Sequence, residues 1–241
     1  MISTVLSCKR IAAQTFDLLI SFDWRNAIPG QFLHIKCGHS RLLRRPISLC
    51  GAGDGSARLV FAVKGEGTRW LSGRKPGDLL DVMGPLGNGF EPIEDSPVLL
   101  VGGGGGVPPM LYAAKSARAE TLALLGFRSS GHACLADEFP SSTLFTDDGS
   151  AGIRGFPCDK LTDILNNGKW RKVYACGPLP MLRAAAVACA KTNIPCFVSM
   201  EERMGCGIGA CLVCACAAGG TYKRVCRDGP VFNAAEVRWN D

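Results

Sequence analysis

Thirteen cysteines are spread over 241 residues, and four of them fall into a pattern with chemistry in it. Cys206, Cys211 and Cys214 are spaced C-x4-C-x2-C, and Cys226 follows after 11 intervening residues. This spacing suits a [2Fe–2S] cluster, in which four thiolates converge on two irons from several directions. Three can come from one loop only if its backbone curls around the sulfides, and Gly205, Gly207 and Gly209 supply that freedom and close approach. Loop amides can also hydrogen-bond the cluster's sulfur and tune its potential. The alternatives are a buried cluster of free thiols or an all-cysteine zinc site. The usual zinc knuckle pairs one C-x2-C with another, and here there is a single such pair. Cys216, just beyond the third ligand, reads as a packed thiol. A cluster that moves single electrons calls for a donor and an acceptor elsewhere.

Three further stretches read as sites for phosphate-bearing cofactors. In Arg44-Arg45-Pro46-Ile47-Ser48, a cation, a proline-fixed bend and a hydroxyl at a strand start can hold a phosphate and a flavin edge. The same residues also make an ordinary solvated strand edge. In the stretch from Lys64 to Ser72, a glycine turn leads to Thr68, which is expected to cap a short helix. That is either an amide-rich anion site or a plain capped turn. The strand Ser96–Val101 runs into Gly102–Gly106, then Val107-Pro108-Pro109, then a helical run Met110–Ala119. Strand, glycine loop and helix form a phosphate-binding unit. The strict dinucleotide fingerprint is not met, because its third glycine falls on Val107 or Pro108. Arg128 and Ser129 end another strand, where they either meet a 2′-phosphate or form a polar loop, which leaves NAD and NADP both open. His34, His39 and His132 have no ligand spacing.

The elements that must position these groups fall into three units. Residues 1–96 read as short strands between turns, at Ile11–Phe22, Gln31–Cys37, Ile47–Ala52, Ala57–Lys64 and Leu79–Met83, with a first strand at the N-terminus. Such spacing predicts an antiparallel β-barrel. Residues 97–200 alternate strands (Thr121–Phe127, Leu144–Thr146, Lys172–Ala175, Pro195–Ser199) with helices (Lys160–Leu165, Met181–Lys191), which predicts a parallel α/β domain. Residues 201–241 are left as a small cluster-binding segment, so the class is α+β and multidomain. Cys176-Gly177-Pro178 ends a strand where a parallel sheet faces its ligand. A net charge of +6 suits nucleotide phosphates but is too scattered for nucleic acid. An odd cysteine count without a secreted-style framework implies reduced thiols and a cytoplasmic setting. Leu6-Ser7-Cys8 hints at a lipoprotein, but the apolar stretch before it is too short. No apolar run reaches transmembrane length, so no membrane partner is expected.

The succession RRPIS, GEGT, GPLGNGF, GGGGGVPP, CGPLPM and MGCGIGACLVC…VCRDGPVF resembles the ferredoxin-reductase superfamily. Within it, the chain resembles the PyrK family, the electron-transfer subunits of class 1B dihydroorotate dehydrogenase, over nearly its whole length. The resemblance implies FAD contacts at Arg45, Pro46, Ile47, Ser48, Phe61, Ala62, Val63, Gly67 and Thr68. It implies NAD(H) at Gly102, Gly103, Gly104, Gly106, Gly177 and Pro178, with Cys176 beside the nicotinamide as a catalytic-site residue. It implies cluster ligands Cys206, Cys211, Cys214 and Cys226, and an FMN-containing dihydroorotate dehydrogenase catalytic subunit as partner in a heterotetramer serving pyrimidine biosynthesis. Two alternatives stand beside it. One is the diaphorase-type small subunit of an NADH-dependent ferredoxin:NADP oxidoreductase, sulfite reductase or hydrogenase. The other is a redox sensor or zinc-stabilised scaffold.

Overall fold

A computed structural model describes residues 1–23, 26–38 and 42–239; His39 therefore lies outside the described residues. In the N-terminal part, strands with one apolar face close on themselves. β1 (Ile2–Ala12), β2 (Thr15–Ser21), β3 (Phe32–Ile35), β4 (Arg45–Gly53), β5 (Ser56–Ala62) and β6 (Leu79–Leu86) form a closed antiparallel barrel in the order β1-β2-β5-β4-β3-β6. Its interior holds Val5, Leu18, Ile20, Leu33, Ile35, Leu49, Leu59, Leu80 and Val82. The single strand expected at Ile11–Phe22 is instead the end of β1, a turn with Gln14 at a φ of 56°, and β2. No Gly, Pro, Asn or Asp marks that turn, which hid it in the sequence. A short helix, α1 (Glu66–Ser72), follows β5.

β3 is buried on both faces. Side chains alternate along a strand. Leu33 and Ile35 enter the barrel core, whereas Phe32 belongs to the apolar cluster that holds Cys214, Val225 and Cys226.

The α/β part contains β7 (Val98–Gly103), α2 (Val107–Ser116), β8 (Thr121–Phe127), β9 (Ser142–Thr146), β10 (Ile153–Arg154), α3 (Leu161–Asn166), β11 (Lys172–Cys176), α4 (Leu179–Thr192) and β12 (Cys196–Ser199). α2 starts earlier than the expected Met110 because Pro108 and Pro109 fit its first turn. β7 alternates its burial: Leu99 and Val101 pack with Leu161, Leu165 and Leu182 of α3 and α4, and Leu100 packs with Met110 and Leu111 of α2. Helices thus cover both faces.

Three strands of the C-terminal part were not expected. β13 (Ala215–Ala218) and β14 (Thr221–Arg224) form a hairpin, with Ala215 opposite Arg224. β15 (Val231–Asn233) adds antiparallel to β12, completing a seven-stranded sheet in the order β10-β9-β8-β7-β11-β12-β15. The strand order reverses between β7 and β11, which is where ligands bind in doubly wound sheets.

The barrel is tied to the α/β part by Arg58. Its guanidinium donates to Asp17 Oδ2 at 2.7 Å and to Glu138 Oε2 at 2.7 Å, and Lys115 Nζ reaches the same Glu138 oxygen at 2.7 Å. Tyr112 Oη donates to the Ala27 carbonyl at 2.7 Å.

Candidate functional site

The cysteine loop between Glu201 and Cys214 is irregular, and its backbone N–H groups turn toward sulfur. Cys206 Sγ accepts from the amides of Ala210 at 3.3 Å and Cys211 at 3.4 Å. Cys211 Sγ accepts from Cys206 N–H at 3.4 Å, Cys226 Sγ from Gly209 N–H at 3.2 Å, and Cys214 Sγ from Cys226 N–H at 3.4 Å. The amides of Ile208 and Cys211 hold the Cys206 thiol down to about 6. Burial, and then the neighbouring Cys214 thiol, push Cys226 up to about 12. Among the described residues no group of three or more His, Cys, Asp and Glu side chains closes on one point. Backbone N–H to sulfur bonds join the cysteines in two pairs instead, Cys206 with Cys211 and Cys214 with Cys226. Two pairs under several amide donors suit the two irons of a [2Fe–2S] cluster.

Two braces hold this loop, and neither was visible in the sequence. Asn88, in the loop after β6, donates through Nδ2 to the Val231 carbonyl at 2.9 Å and accepts Val231 N–H at 2.9 Å. Arg224 donates through Nε to Asp228 Oδ2 at 2.8 Å, closing the turn that carries Cys226. That contact keeps the Asp228 carboxyl down at about 2. Leu212, between two ligands, has a φ of 59°, uncommon for a non-glycine residue and characteristic of functional loops. Ile208, Leu212 and Val213 are 56%, 62% and 57% exposed, so they do not pack against the barrel.

A residue of the barrel lies under the loop. A side chain on Gly207 would place its Cβ 2.5 Å from His34 Nδ1, and Gly207 itself has a φ of +75°. His34 is fully buried on β3, and neither ring nitrogen has a hydrogen-bond partner among the described residues. Burial, and then Arg44, lower its pKa to about 4, so the ring is neutral.

The two arginines before β4 divide their work. Arg44 is structural: it donates to the carbonyls of His34 at 3.3 Å and Asp81 at 2.9 Å and to Asp81 Oδ2 at 2.7 Å. Arg45 instead lies across Gly67, where any Cβ would collide with its Nε, and donates to the Leu43 carbonyl. This leaves a cation over the glycine turn that opens α1. Thr68 does not cap that helix from outside, as the sequence suggested. Gly65 is the N-cap and Thr68 is three residues in, its Oγ1 accepting Lys64 N–H at 2.9 Å and Gly65 N–H at 3.2 Å. β4 pairs with β5 from Leu49, opposite Leu59, onward. Pro46, Ile47 and Ser48 pair with His34, Leu33 and Phe32 of β3, with Pro46 exposed and Ile47 buried. The Phe61 ring sits in the barrel core, 6.2 Å from Phe16.

At the sheet's reversal, Cys176 pairs with Gly102 on one side and Ser199 on the other. Gly102 and Gly103 end β7 buried, Gly104 is exposed, and Gly106 lies so close to the Cys176 carbonyl that no larger residue fits. Gly103 packs against Pro178 and Met181, so the glycine loop and Cys176-Gly177-Pro178 form one surface. Burial pushes the Cys176 thiol up to about 12. It stays protonated near neutrality and is therefore no nucleophile. Its place fits the edge of a ligand site, not covalent catalysis. Arg128 is exposed, and Ser129 Oγ meets His132 Nδ1 at 2.9 Å.

Residues 201–238 match the family described as the iron–sulfur cluster binding domain of dihydroorotate dehydrogenase B. A solved NADH-dependent reduced ferredoxin–NADP oxidoreductase, studied for flavin-based electron bifurcation, superposes with a TM-score of 0.90 at 32% identity, covering 99% of this chain and 90% of that one. A ferredoxin reductase of carbazole 1,9a-dioxygenase shares the fold at a TM-score of 0.68 and 21% identity, over 81% of this chain and 66% of that one. The dihydroorotate dehydrogenase B (NAD(+)) electron transfer subunit of Caldanaerobacter subterraneus is 42% identical over 98% of both chains. That of Geobacillus kaustophilus is 43% identical over 97% of this chain and 96% of its own. At that identity over nearly the full length, and with the fold and the paired thiols in place, the chain belongs to the family of dihydroorotate dehydrogenase B electron transfer subunits.

Proposed function

We propose that this chain carries electrons between NAD(H) and a separate dihydroorotate-oxidising subunit, using FAD and a [2Fe–2S] cluster held in the same polypeptide. The observation that carries the reading is the two pairs of loop thiols beneath amide donors, joined to a flavin-type barrel and a doubly wound nucleotide sheet. When bound, FAD exchanges a hydride with the nicotinamide and single electrons with the cluster. Across the whole reaction dihydroorotate loses two electrons and two protons to become orotate, NAD+ takes up a hydride, and one proton is released.

Each residue then has a defined part. Arg45 and the Gly67–Thr68 turn would hold the FAD pyrophosphate, and Pro46, Ile47, Ser48, Ala62 and Val63 would contact the flavin. Phe61 acts from behind, through the barrel core. Gly102, Gly103, Gly104 and Gly106, with Gly177 and Pro178, let the NAD(H) backbone approach the sheet, and Cys176 walls the nicotinamide with a neutral thiol. Cys206 and Cys211 take one iron, Cys214 and Cys226 the other. The three cofactors divide the chain at 1–96, 97–200 and 201–241.

The oxidising partner is an FMN-containing catalytic subunit, and the assembly is a heterotetramer. Exposed Ile208, Leu212 and Val213 beside the cysteine loop form the contact. A cytoplasmic setting follows from the reduced thiols; among the described residues no helix is long and apolar enough to cross a membrane. The superposition on the ferredoxin–NADP oxidoreductase favours a second reading, a ferredoxin-linked small subunit. One assay separates the two: NADH formation from dihydroorotate with each chain alone and then mixed. The chain alone should reduce artificial dyes with NADH and ignore dihydroorotate, and adding the FMN subunit should create NAD+-linked oxidation. Dihydroorotate oxidation by this chain alone contradicts the proposal, and failure of every co-encoded dehydrogenase subunit to couple favours the ferredoxin-linked reading.

A further inference from the structure

We infer that His34, a residue of the flavin barrel, is a hydrogen-bonding partner of the iron–sulfur cluster and sets its redox potential. The inference rests on reading the cysteine loop as the cluster site, and extends it to a residue outside that segment.

Three observations converge. The first is direction. Leu33 and Ile35 of β3 enter the barrel core, and Phe32 lies with Cys214, Val225 and Cys226. Two residues on, His34 shares the face of Phe32 and so points out of the barrel toward the cluster segment. The Phe32 and His34 rings meet edge-on, with centroids 6.4 Å apart. The second is contact. The position a Gly207 Cβ would take lies 2.5 Å from His34 Nδ1, and Gly207 directly follows the ligand Cys206. The third is an unmet need. His34 is fully buried, and both ring nitrogens lack a partner among the described residues. Buried polar groups in native proteins are almost always satisfied, so such a ring calls for a partner supplied from outside the polypeptide.

The ring is also fixed in place. Arg44 binds the His34 carbonyl at 3.3 Å and ties it to Asp81 of β6, so the backbone under the imidazole cannot drift. A neutral imidazole offers one N–H. A donor aimed at cluster sulfur stabilises the extra negative charge of the reduced state and raises the potential. His34 thus touches the cluster directly, and the flavin barrel contributes to tuning the cluster that exchanges electrons with its own FAD.

The experiment uses the full chain with its cluster assembled anaerobically, labelled with 15N only at histidine, reduced, and examined by pulsed EPR. The wild type should show a histidine 15N coupling to the reduced cluster. His34→Leu should lose it, and His39→Leu and His132→Leu should keep it. In an EPR-monitored redox titration His34→Leu should shift to a more negative midpoint, and His34→Gln, which restores a donor, should return toward the wild type. A cluster without histidine coupling in the wild type overturns the inference alone, as does an unchanged midpoint in a cluster-bearing His34→Leu. If His34→Leu fails to hold a cluster, the wild-type coupling and the His34→Gln midpoint decide. Wild-type protein that holds no iron and sulfide refutes the cluster reading itself, a result read from metal analysis before any spectrum.

Discussion

The cysteine loop and the seam between α4 and β12 both crowd thiols together, yet they prepare them for opposite uses. In the loop, amides surround sulfur and hold Cys206 down to about 6. In the seam, Cys196 is pushed up by its contact with the Cys189 thiol and by burial, and nearby Cys158 is pushed up to about 12 chiefly by burial. The residue type is the same; the difference lies in what faces the sulfur. Backbone N–H groups favour a thiolate, whereas apolar packing favours a thiol. Cys226 shows that the two can mix: it is buried and raised, yet takes an N–H from Gly209 at 3.2 Å. Only a bound cation would fully reverse its burial penalty. Clustering alone therefore does not mark a metal site, whereas amide-lined clustering does.

The contrast breaks most visibly under substitution. Anaerobically assembled protein should hold two irons and two acid-labile sulfides per chain, the content of a [2Fe–2S] cluster. Cys226→Ser should lose or destabilise nearly all of it. Cys216→Ser, on β13 and buried, should largely keep it. Stoichiometric zinc without iron would overturn the assignment. In cluster-free protein at pH 7, iodoacetamide should modify Cys206 orders of magnitude faster than Cys176, because only the former is substantially thiolate there. The Cys206 rate should rise as pH passes about 6 and level off above it. Equal labelling of the two in folded protein, followed by peptide mapping, would erase the contrast.

Arg44 and Arg45 repeat the lesson with charge, one committed to Asp81 and one left over Gly67. Arg45→Ala should weaken FAD binding by about tenfold or more, the loss of a charge-assisted contact worth roughly 1.5–3 kcal/mol. Unchanged affinity by fluorescence titration would remove Arg45 from the site. The smallest effect concerns the clamp at Arg58. Its hydrogen bonds hold the Glu138 carboxyl down to about 2, well below the usual carboxylate range. A depressed carboxylate contributes stability above its unfolded value and loses it as pH falls. Glu138→Gln should therefore cost about 1 kcal/mol at neutral pH, since the pair is partly exposed, and nearly nothing below about pH 2.

What the sequence revealed follows from range. The C-x4-C-x2-C spacing, the glycine loop after β7 and the strand–helix alternation are local patterns, and each stands where expected. The Asn88 clamp spans 143 residues to Val231, and β15 joins a sheet begun more than a hundred residues earlier, so neither leaves a local mark. His34 read as a lone histidine because its significance comes from Gly207 across the fold. Thr68 was placed on the right turn but in the wrong position, since a hydroxyl at the third helical residue and one at the cap look alike in sequence.

The central claim is that electrons pass between this chain's FAD and the partner subunit only through the four loop thiols. Its most direct test is Cys211→Ser mixed with the FMN-bearing catalytic subunit, followed by stopped-flow absorbance. NADH should still bleach the bound FAD at close to the wild-type rate, while dihydroorotate-dependent NADH formation disappears. NADH formation that persists in the variant would contradict the account.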